Sequence, residues 1–219
     1  MSATRSHLRA PQQRLPSGRH GLTHETIVAS QRGRLLDAMA AAVADKGYAT
    51  VTVSDVVERA GVSRRTFYEQ FADKEECFLA AYDTGVEIVL GAIRRAVTPL
   101  PEEDWRARAR ASVTTFLDVL AAEPYFAWAL VVEVMAAGRP ALKRHSEIMG
   151  LFAHIWSRIF ELARREDPTL RALPNEVFAT LAGGLEELVR DGLRTDGARS
   201  LPMLADPILR SVLAIFGTE

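Results

Sequence analysis

The sequence predicts an all-α protein in which a small amino-terminal unit of three helices joins a larger helical bundle. Three observations carry this prediction: apolar residues recur at helical spacing, Ala, Leu, Glu and Arg dominate, and strand-like runs are scarce. The chain has 219 residues, 48% of them hydrophobic, which is enough to bury a core. We expect an arm over 1–22, the three-helix unit over 23–72 and the bundle over 73–219.

Capping signals divide the amino-terminal part of the chain into short helices. The first helix is expected over 23–46, and Gly47 ends it. Thr52 then stands at an N-cap position, and Asp55 occupies the reciprocal position of a capping box. Gly61 ends this second helix, because glycine lets the chain turn sharply.

The third helix is short, and the turn before it completes a helix-turn-helix motif. Ser63 is expected to cap this helix, which runs over 64–70 with Phe67 and Phe71 facing inward. Two short helices that share an apolar inner side and a tight turn at Gly61 describe the motif. In such motifs the first residues of the second helix point outward.

The outward-facing start of the third helix carries groups that recognise nucleic acid. Arg64 and Arg65 are adjacent there, and an arginine can donate two hydrogen bonds to guanine in the major groove. Thr66 can hydrogen-bond a base or contact a thymine methyl. Tyr68 and Lys74 follow one and two turns later and suit phosphate oxygens. The motif therefore predicts sequence-specific binding of double-stranded DNA.

Residues 30–85 resemble the DNA-binding domain of TetR/AcrR-family transcriptional regulators. The matching marks are Gly47-Tyr48, Thr52-Val53, Ala60-Gly61-Val62-Ser63, Thr66-Phe67-Tyr68, Phe71 and Lys74-Glu75. The resemblance implies that DNA is contacted by Thr52, Ser54, Arg64, Arg65, Thr66, Tyr68 and Lys74. Position 65 departs from the family pattern, where a small or turn-forming residue is frequent. Glu69 puts an acid on the same helix, where it accepts a hydrogen bond from cytosine, repels DNA or is a plain surface residue.

Positive charge is concentrated at the amino terminus, although the whole chain is close to neutral. The formal net charge is −1, which gives no global electrostatic case for nucleic-acid binding. Residues 1–34, however, hold six arginines and one acid, Glu25. The arm over 1–22 is expected to be flexible. Either Arg14 or Arg19 reaches an adjacent minor groove, or the arm adds nothing to binding.

The remainder of the chain predicts longer helices. Asp73 is expected to cap a fourth helix that runs to about Val97, with Glu76 completing a second capping box. Two prolines and an acidic run over 98–104 interrupt the pattern. Further helices are expected over about 104–122, 124–137, 140–166, 175–194 and 204–216.

Bulky apolar residues recur along the fifth, sixth and seventh helices. They are Phe116, Leu120, Trp128, Val132, Met135, Met149, Phe152 and Trp156. The resemblance implies that these helices enclose a cavity for a small effector, and aromatic and methionine side chains suit an apolar one. A filled core is the alternative for each residue. Glu133, an acid among valines, either binds a cationic ligand or pairs with Arg139 or Arg144.

The last two helices carry apolar stripes that are typical of a dimer interface. The candidate residues are Val177, Leu181, Gly184, Leu185, Leu188, Val212, Ile215 and Phe216. The pair Gly183-Gly184 would let a partner helix approach closely, and the resemblance implies a two-fold interface of four helices. A homodimer would place two reading helices about 34 Å apart, which matches a palindromic operator.

The sequence shows no catalytic signature, so we expect no enzyme, no cofactor and no metal site. His145 and His154 share a helix without a carboxylate at useful spacing and are interpreted as ordinary polar groups. The single cysteine, Cys77, suits a reducing cytoplasm, and ordinary packing is its expected role. The longest apolar run, PYFAWALVV, is far shorter than the ~20 residues of a membrane helix, so no membrane association is expected.

These observations predict a dimeric, cytoplasmic DNA-binding regulator of transcription, most simply a repressor that a small apolar effector releases from a palindromic operator. Two alternatives remain open. One is a constitutive DNA-binding protein with a filled body, and the other is a helical interaction module whose three-helix unit contacts protein.

Overall fold

The structure is a computed structural model, and it describes residues 30–218. This part of the chain folds into nine α-helices and two 3₁₀ helices without a strand, which confirms the all-α prediction. The α-helices are α1 (Gln31–Lys46), α2 (Val53–Ala60), α3 (Arg64–Gln70), α4 (Lys74–Val97), α5 (Trp105–Ala122), α6 (Pro124–Val131), α7 (Arg139–Glu166), α8 (Asn175–Thr195) and α9 (Ala205–Phe216). The 3₁₀ helices are Glu133–Ala136 and Ala198–Leu204. The predicted arm and the predicted start of the first helix lie outside the described residues.

Residues 30–72 form a head of three helices whose ends are set by local hydrogen bonds. The predicted capping box of α2 is present: Asp55 Oδ2 accepts from the Thr52 N–H at 2.9 Å, and Thr52 Oγ1 accepts from the Asp55 N–H at 3.3 Å. Lys46 donates to the same carboxyl and, with Thr52, lowers the pKa of Asp55 to about 2. Gly61 ends α2 with φ 64°, a left-handed conformation that strains other residues.

The start of α4 joins the head to residues 73–218, which we call the body. Asp73 accepts from the Glu76 N–H at 2.9 Å, as predicted for the N-cap. Glu76 Oε2 accepts from the Ala72 N–H at 2.6 Å rather than from the Asp73 N–H. The predicted reciprocal bond of a second capping box is therefore wrong by one residue. The N-terminus of α4 is thereby tied to the last residues of the head.

The body packs long helices against a core that continues into the head. At its centre the ring of Phe160 contacts those of Phe216 and Phe178, with centroids 4.8 and 5.7 Å apart. On α4, Gly85 allows α6 to approach closely, since an added Cβ would lie 2.9 Å from a Leu130 methyl. Among the described residues, no helix combines the length and the apolar character that crossing a membrane requires.

The predicted helix over 124–137 is two elements. The α-helix ends at Val131, and Glu133–Ala136 continues as a 3₁₀ helix. In a continuous helix the Val131 carbonyl would accept from the N–H four residues later. Here it accepts from Arg190 Nε at 2.9 Å, so a side chain from α8 occupies the place of the helical bond.

Candidate DNA-binding head and effector cavity

The helix α3 is held by its inner face and presents its first turn to solvent. Phe67 and Phe71 are buried as predicted, and they anchor α3 in the core of the head. The Ser63 hydroxyl accepts from the Thr66 N–H at 3.0 Å, which confirms the predicted cap. Arg64 and Arg65 lie at the exposed start of this anchored helix, and the Arg65 side chain is 89% exposed.

Both arginines have weak partners within the head. Arg64 Nη1 donates to the Ser54 hydroxyl at 3.2 Å, and Arg65 Nε donates to Glu69 Oε1 at 2.9 Å. Exposed ion pairs one helical turn apart contribute only about 0.3–0.5 kcal/mol. These contacts therefore hold the guanidinium groups in place without competing strongly against a base or phosphate. Glu69, whose role the sequence left open, is the partner of Arg65.

The other side chains predicted to contact DNA differ in their exposure and in how many of their hydrogen-bonding groups are already used within the protein. Thr52 and Ser54 lie exposed at the start of α2, and the Tyr68 side chain is also exposed, with its ring edge against Phe67. Lys74 is half-buried, and its ammonium donates to the carbonyls of Tyr48 at 2.9 Å and Val51 at 3.0 Å. Two of the three Lys74 N–H donors are thus used inside the protein, leaving one for an external acceptor.

The described part of the head is not strongly basic. Residues 30–72 hold six basic and five acidic side chains, and several of these are paired with each other, such as Arg59 with Asp45. The excess of arginine that the sequence shows lies in residues 1–29, outside the described residues. Within residues 30–72, recognition must therefore depend on where α3 holds its side chains rather than on net charge.

An apolar cavity of about 100 Å³ lies among the helices of the body. It is lined by residues of α4 to α8 with Ile208 of α9. Five residues that were predicted for an effector pocket lie around it: Phe116, Leu120, Met149, Phe152 and Trp156. This cavity is smaller than the ~150 Å³ cavity that holds benzene, so a longer ligand must displace side chains or extend outward.

Trp128, Val132 and Met135, the other three predicted pocket residues, do not line this cavity. The prediction assumed one continuous helix, but α6 ends at Val131 and the spacing changes in the 3₁₀ helix. Trp128 Nε1 instead donates to Glu133 Oε1 at 3.3 Å, and Met135 is half exposed. Their sequence pattern reflects packing against the head and the surface rather than against the cavity.

One end of the cavity carries a polar cluster that was not predicted from the sequence. The Tyr82 hydroxyl lies 3.1 Å from His145 Nδ1, and His145 Nε2 lies 3.3 Å from Glu186 Oε2. Arg190 pairs with the other oxygen of Glu186 at 3.1 Å. Burial raises the pKa of the Tyr82 hydroxyl, so it stays a hydrogen-bonding group at neutral pH. The carboxylate that His145 lacks on its own helix comes from α8.

Glu133 connects the body to the head. Its Oε2 accepts from the Tyr48 N–H at 2.7 Å, in the turn after α1. The expected pairing with Arg139 or Arg144 is wrong: Arg144 binds Asp83 at 2.6 Å and Glu147 at 3.0 Å, and Asp83 raises the pKa of Arg144 further. The Glu133 carboxylate therefore accepts a hydrogen bond from a backbone donor of the DNA-binding head.

Comparison with known proteins agrees with this arrangement. A model of the family "Bacterial regulatory proteins, tetR family" matches residues 35–81, which include α2, α3 and the start of α4. Residues 35–81 therefore carry the amino-terminal domain of the tetR family. The FasR transcriptional activator of Mycolicibacterium smegmatis is 32% identical over 90 residues, 41% of this chain. The EthR transcriptional regulator of the same organism is 28% identical over 158 residues, 72% of this chain. The chain spans only 40% and 64% of the lengths of these relatives.

Solved structures show that the TetR-family fold extends over the body as well. The fatty acid degradation regulator FadR of Bacillus halodurans superposes with a TM-score of 0.75 at 19% identity, over 84% of this chain and 94% of that one. FadR of Bacillus subtilis, solved in complex with stearoyl-CoA, gives 0.73 at 17% identity, over 85% and 98%. At such identities the likeness concerns the fold alone.

Of the predicted dimer residues, several belong to the core of the chain itself. Leu181, Val212 and Phe216 are buried, and Leu185 lines the cavity. An apolar stripe on a helix looks the same in sequence whether it faces the chain's own core or a partner, so the sequence alone does not separate these four from interface residues. Val177 is half-buried. The three exposed candidates are Gly184, Leu188 and Ile215.

Among residues 30–218, no group of three His, Cys, Asp or Glu side chains lies close enough together to hold a metal ion. The Cys77 thiol is buried, and burial raises its pKa to about 12. A thiol with a raised pKa is a poor nucleophile. Its position near the start of α4 therefore does not activate it.

Proposed function

We propose that the chain is a homodimeric transcriptional regulator, not an enzyme, that binds a palindromic operator and loses affinity for it when a small apolar effector enters the body. The observation that carries this proposal is the anchored helix α3, with Arg64 and Arg65 exposed at its start. The functional division follows the predicted boundaries, with the DNA-binding head up to residue 72 and the effector and dimer domain from residue 73. Its place of action is the cytoplasm, where a bacterial operator is found.

Reading DNA requires the arginines to exchange partners. Arg65 leaves Glu69 and Arg64 leaves Ser54, and each guanidinium then donates to a base edge in the major groove. Thr66 contacts a neighbouring base, while Tyr68, Thr52 and the remaining donor of Lys74 bind phosphate oxygens. Since Glu69 is released on binding, an operator with cytosine opposite it would regain that hydrogen bond.

Dimerisation through α8 and α9 supplies the second reading helix. The exposed face of α8 includes small residues beside Leu188, and an added Cβ at Gly183 or Gly184 would meet no atom within 4 Å among residues 30–218 outside its own helix. That open surface suits close approach by the same helix of a partner, with Ile215 of α9 contributing apolar area.

Effector control is supported by the way α4 spans both regions. Its N-terminus is bonded to Ala72 of the head, whereas Tyr82, Val86, Val89 and Ile93 line the cavity. A ligand that enlarges the cavity displaces helices around it, and the displacement of α4 among them is carried to the head. FadR of Bacillus subtilis was solved with stearoyl-CoA, which supports an effector with a long apolar chain. A coupling of about 1–3 kcal/mol would change operator affinity about 5- to 150-fold.

A footprint on the DNA that flanks its own coding region tests this proposal. We expect two protected half-sites one helical turn apart, about 10 base pairs between centres. Transcription from that DNA should change when the protein is removed; FasR is named an activator, so the assay records either sign. Protection without symmetry would contradict the dimer, and binding that is indifferent to sequence would contradict operator recognition.

A further inference from the structure

A groove of about 410 Å³ opens beside the cavity and shares part of its wall. Ile93, Ser112 and Ile155 line both spaces. The cavity continues along α4 toward Tyr82, whereas the groove continues in the opposite direction toward Val97. From Tyr82 to Val97 the helix spans about 22 Å at 1.5 Å per residue. The two spaces therefore lie end to end along α4, and the groove forms the end that opens more widely to solvent.

The open end is strongly basic. We call it the arginine groove, because it is lined by Arg94, Arg108, Arg158 and Arg165, with Glu102 as its one carboxylate. Arg158 and Arg165 are exposed on α7, and neither forms an ion pair with any of residues 30–218. Four guanidinium groups around one carboxylate attract an anion.

Arg108 is held in place by the end of α4. Its Nη1 donates to the Leu100 carbonyl at 3.0 Å and the Val97 carbonyl at 3.4 Å. These bonds occupy carbonyl groups that would otherwise repel an anion at the C-terminus of α4. The other nitrogens of the Arg108 guanidinium keep their donors for a ligand.

The cavity and the groove differ in charge at their far ends, which sets a direction for a ligand. The cavity end near Tyr82 holds the carboxylate of Glu186, compensated by Arg190, together with His145. The stretch between the two ends is apolar, with Val89, Phe152 and Trp156 among its walls. An anionic group is therefore favoured only at the open end, and an apolar chain only between the ends.

We propose that the effector is an amphiphile whose apolar chain fills the cavity and whose anionic head binds the arginine groove. This inference rests on the proposed function, since it names the ligand class of the same site. The head is a carboxylate or a phosphate-bearing group, and both chemistries bind guanidinium. The groove also supplies the room that the small cavity lacks, so part of the chain lies outside the cavity.

Binding by the full-length protein tests the inference with three probes that share one alkyl chain: dodecanoate, dodecanoyl-coenzyme A and dodecanol. Dissociation constants are measured by calorimetry at about 0.01 M and about 0.15 M ionic strength, where the Debye length falls from about 30 to about 8 Å. The test variant is Arg158→Gln/Arg165→Gln. The control Arg139→Gln/Lys143→Gln removes the same charge from exposed positions at the opposite end of α7.

We expect at least one anionic probe to bind more tightly than dodecanol and to weaken with added salt. The test variant should weaken that probe between about 2-fold and about 25-fold, because each exposed ion pair contributes about 0.2–1 kcal/mol. The test variant should bind dodecanol as tightly as the wild type does. The control variant should bind all three probes as tightly as the wild type does. Comparison of dodecanoate with dodecanoyl-coenzyme A then tells a carboxylate head from a phosphate-bearing one.

Three results would overturn the inference: no binding of either anion, equal binding of dodecanol, or anion binding that the test variant leaves at the control's value. Its failure is separable from failure of the proposed function, because operator footprinting needs no ligand. If dodecanol were the only one of the three probes to release the protein from the footprinted DNA, the proposed function would stand and the anionic head group would be rejected.

Discussion

The head and the body of the molecule are stabilised in different ways. In the head, α1, α2 and α3 each begin at a side chain that accepts a backbone N–H: Ser30, Thr52 and Ser63. In the body, α4 and α5 also begin at a capping side chain, Asp73 and Asp104, whereas α6, α7, α8 and α9 begin without one and are held by the packing of long apolar faces. Local bonds hold the recognition helix at a defined position, whereas packed helices can separate around a ligand. This difference suits a DNA-binding helix that keeps its position while the body that carries it changes conformation around a ligand.

The largest effect is expected from the head's core. Phe67→Ala removes a fully buried ring and should cost about 3–5 kcal/mol of stability. Since Phe67 is the one buried side chain within α3, the helix should lose its position and DNA binding should disappear. Urea unfolding with an operator-binding assay measures both. Dimerisation and cavity binding should survive; their loss together with DNA binding would show that head and body do not behave as separate units.

The contact between the two regions comes next. Glu133→Ala leaves the Tyr48 N–H without its acceptor and should destabilise the protein by about 1.5–3 kcal/mol, as expected for a hydrogen bond to a charged group. Glu133→Gln keeps an acceptor oxygen and should recover most of the loss. Thermal unfolding of the two variants and the wild type checks this. Equal stability of the glutamine and alanine variants would mean that the hydrogen bond to the head is unimportant.

A smaller effect tests the caps directly. Ser63→Ala removes the side-chain acceptor for the Thr66 N–H and should cost about 1 kcal/mol. The matched body variant is Asn175→Ala, at an exposed first position of α8, a helix that begins without a side-chain cap bond, and it should change stability by less than about 0.5 kcal/mol. Chemical unfolding of both proteins measures the difference. If both changes cost the same, capping does not distinguish the regions.

The smallest effect concerns acid. Lys46 and Thr52 lower the pKa of Asp55 from 3.8 to about 2, so the folded state favours the carboxylate. The stabilisation is fully present above about pH 4 and is lost as the pH falls toward 2. The stability gap between the wild type and Asp55→Asn should therefore shrink over this interval in urea unfolding. A gap that stays constant would contradict the role given to the carboxylate.

The same difference explains what could be predicted from the sequence. In the head, Thr52, Asp55, Gly61 and Ser63 act on residues two to four positions away, and such signals are visible in a short stretch of sequence. The α3 boundaries and its inward phenylalanines followed from them. Whether the predicted side chains contact DNA is a property of a complex and stays a prediction.

In the body, the prediction failed wherever distant residues meet. His145 finds its carboxylate on α8, and Glu133 bonds a residue 85 positions away. Helical periodicity shows that Leu181 and Val212 belong to apolar stripes, but the packing of all helices decides that they face the chain's own core. The arginine groove likewise combines side chains of α4, α5 and α7, which no local pattern connects.

The most direct test of the account compares operator binding by the wild type and by Arg64→Ala/Arg65→Ala. The footprinted operator and a scrambled duplex of the same composition are titrated at one salt concentration, with Arg171→Ala/Arg199→Ala as a control for the removal of surface charge. We predict that discrimination between the duplexes falls by about 1–3 kcal/mol for each base that an arginine no longer reads. The free energy of unfolding of Arg64→Ala/Arg65→Ala should equal that of the wild type. Operator binding by Arg171→Ala/Arg199→Ala should also equal that of the wild type. Wild-type discrimination by the double variant would contradict the assignment of α3 as the reading helix.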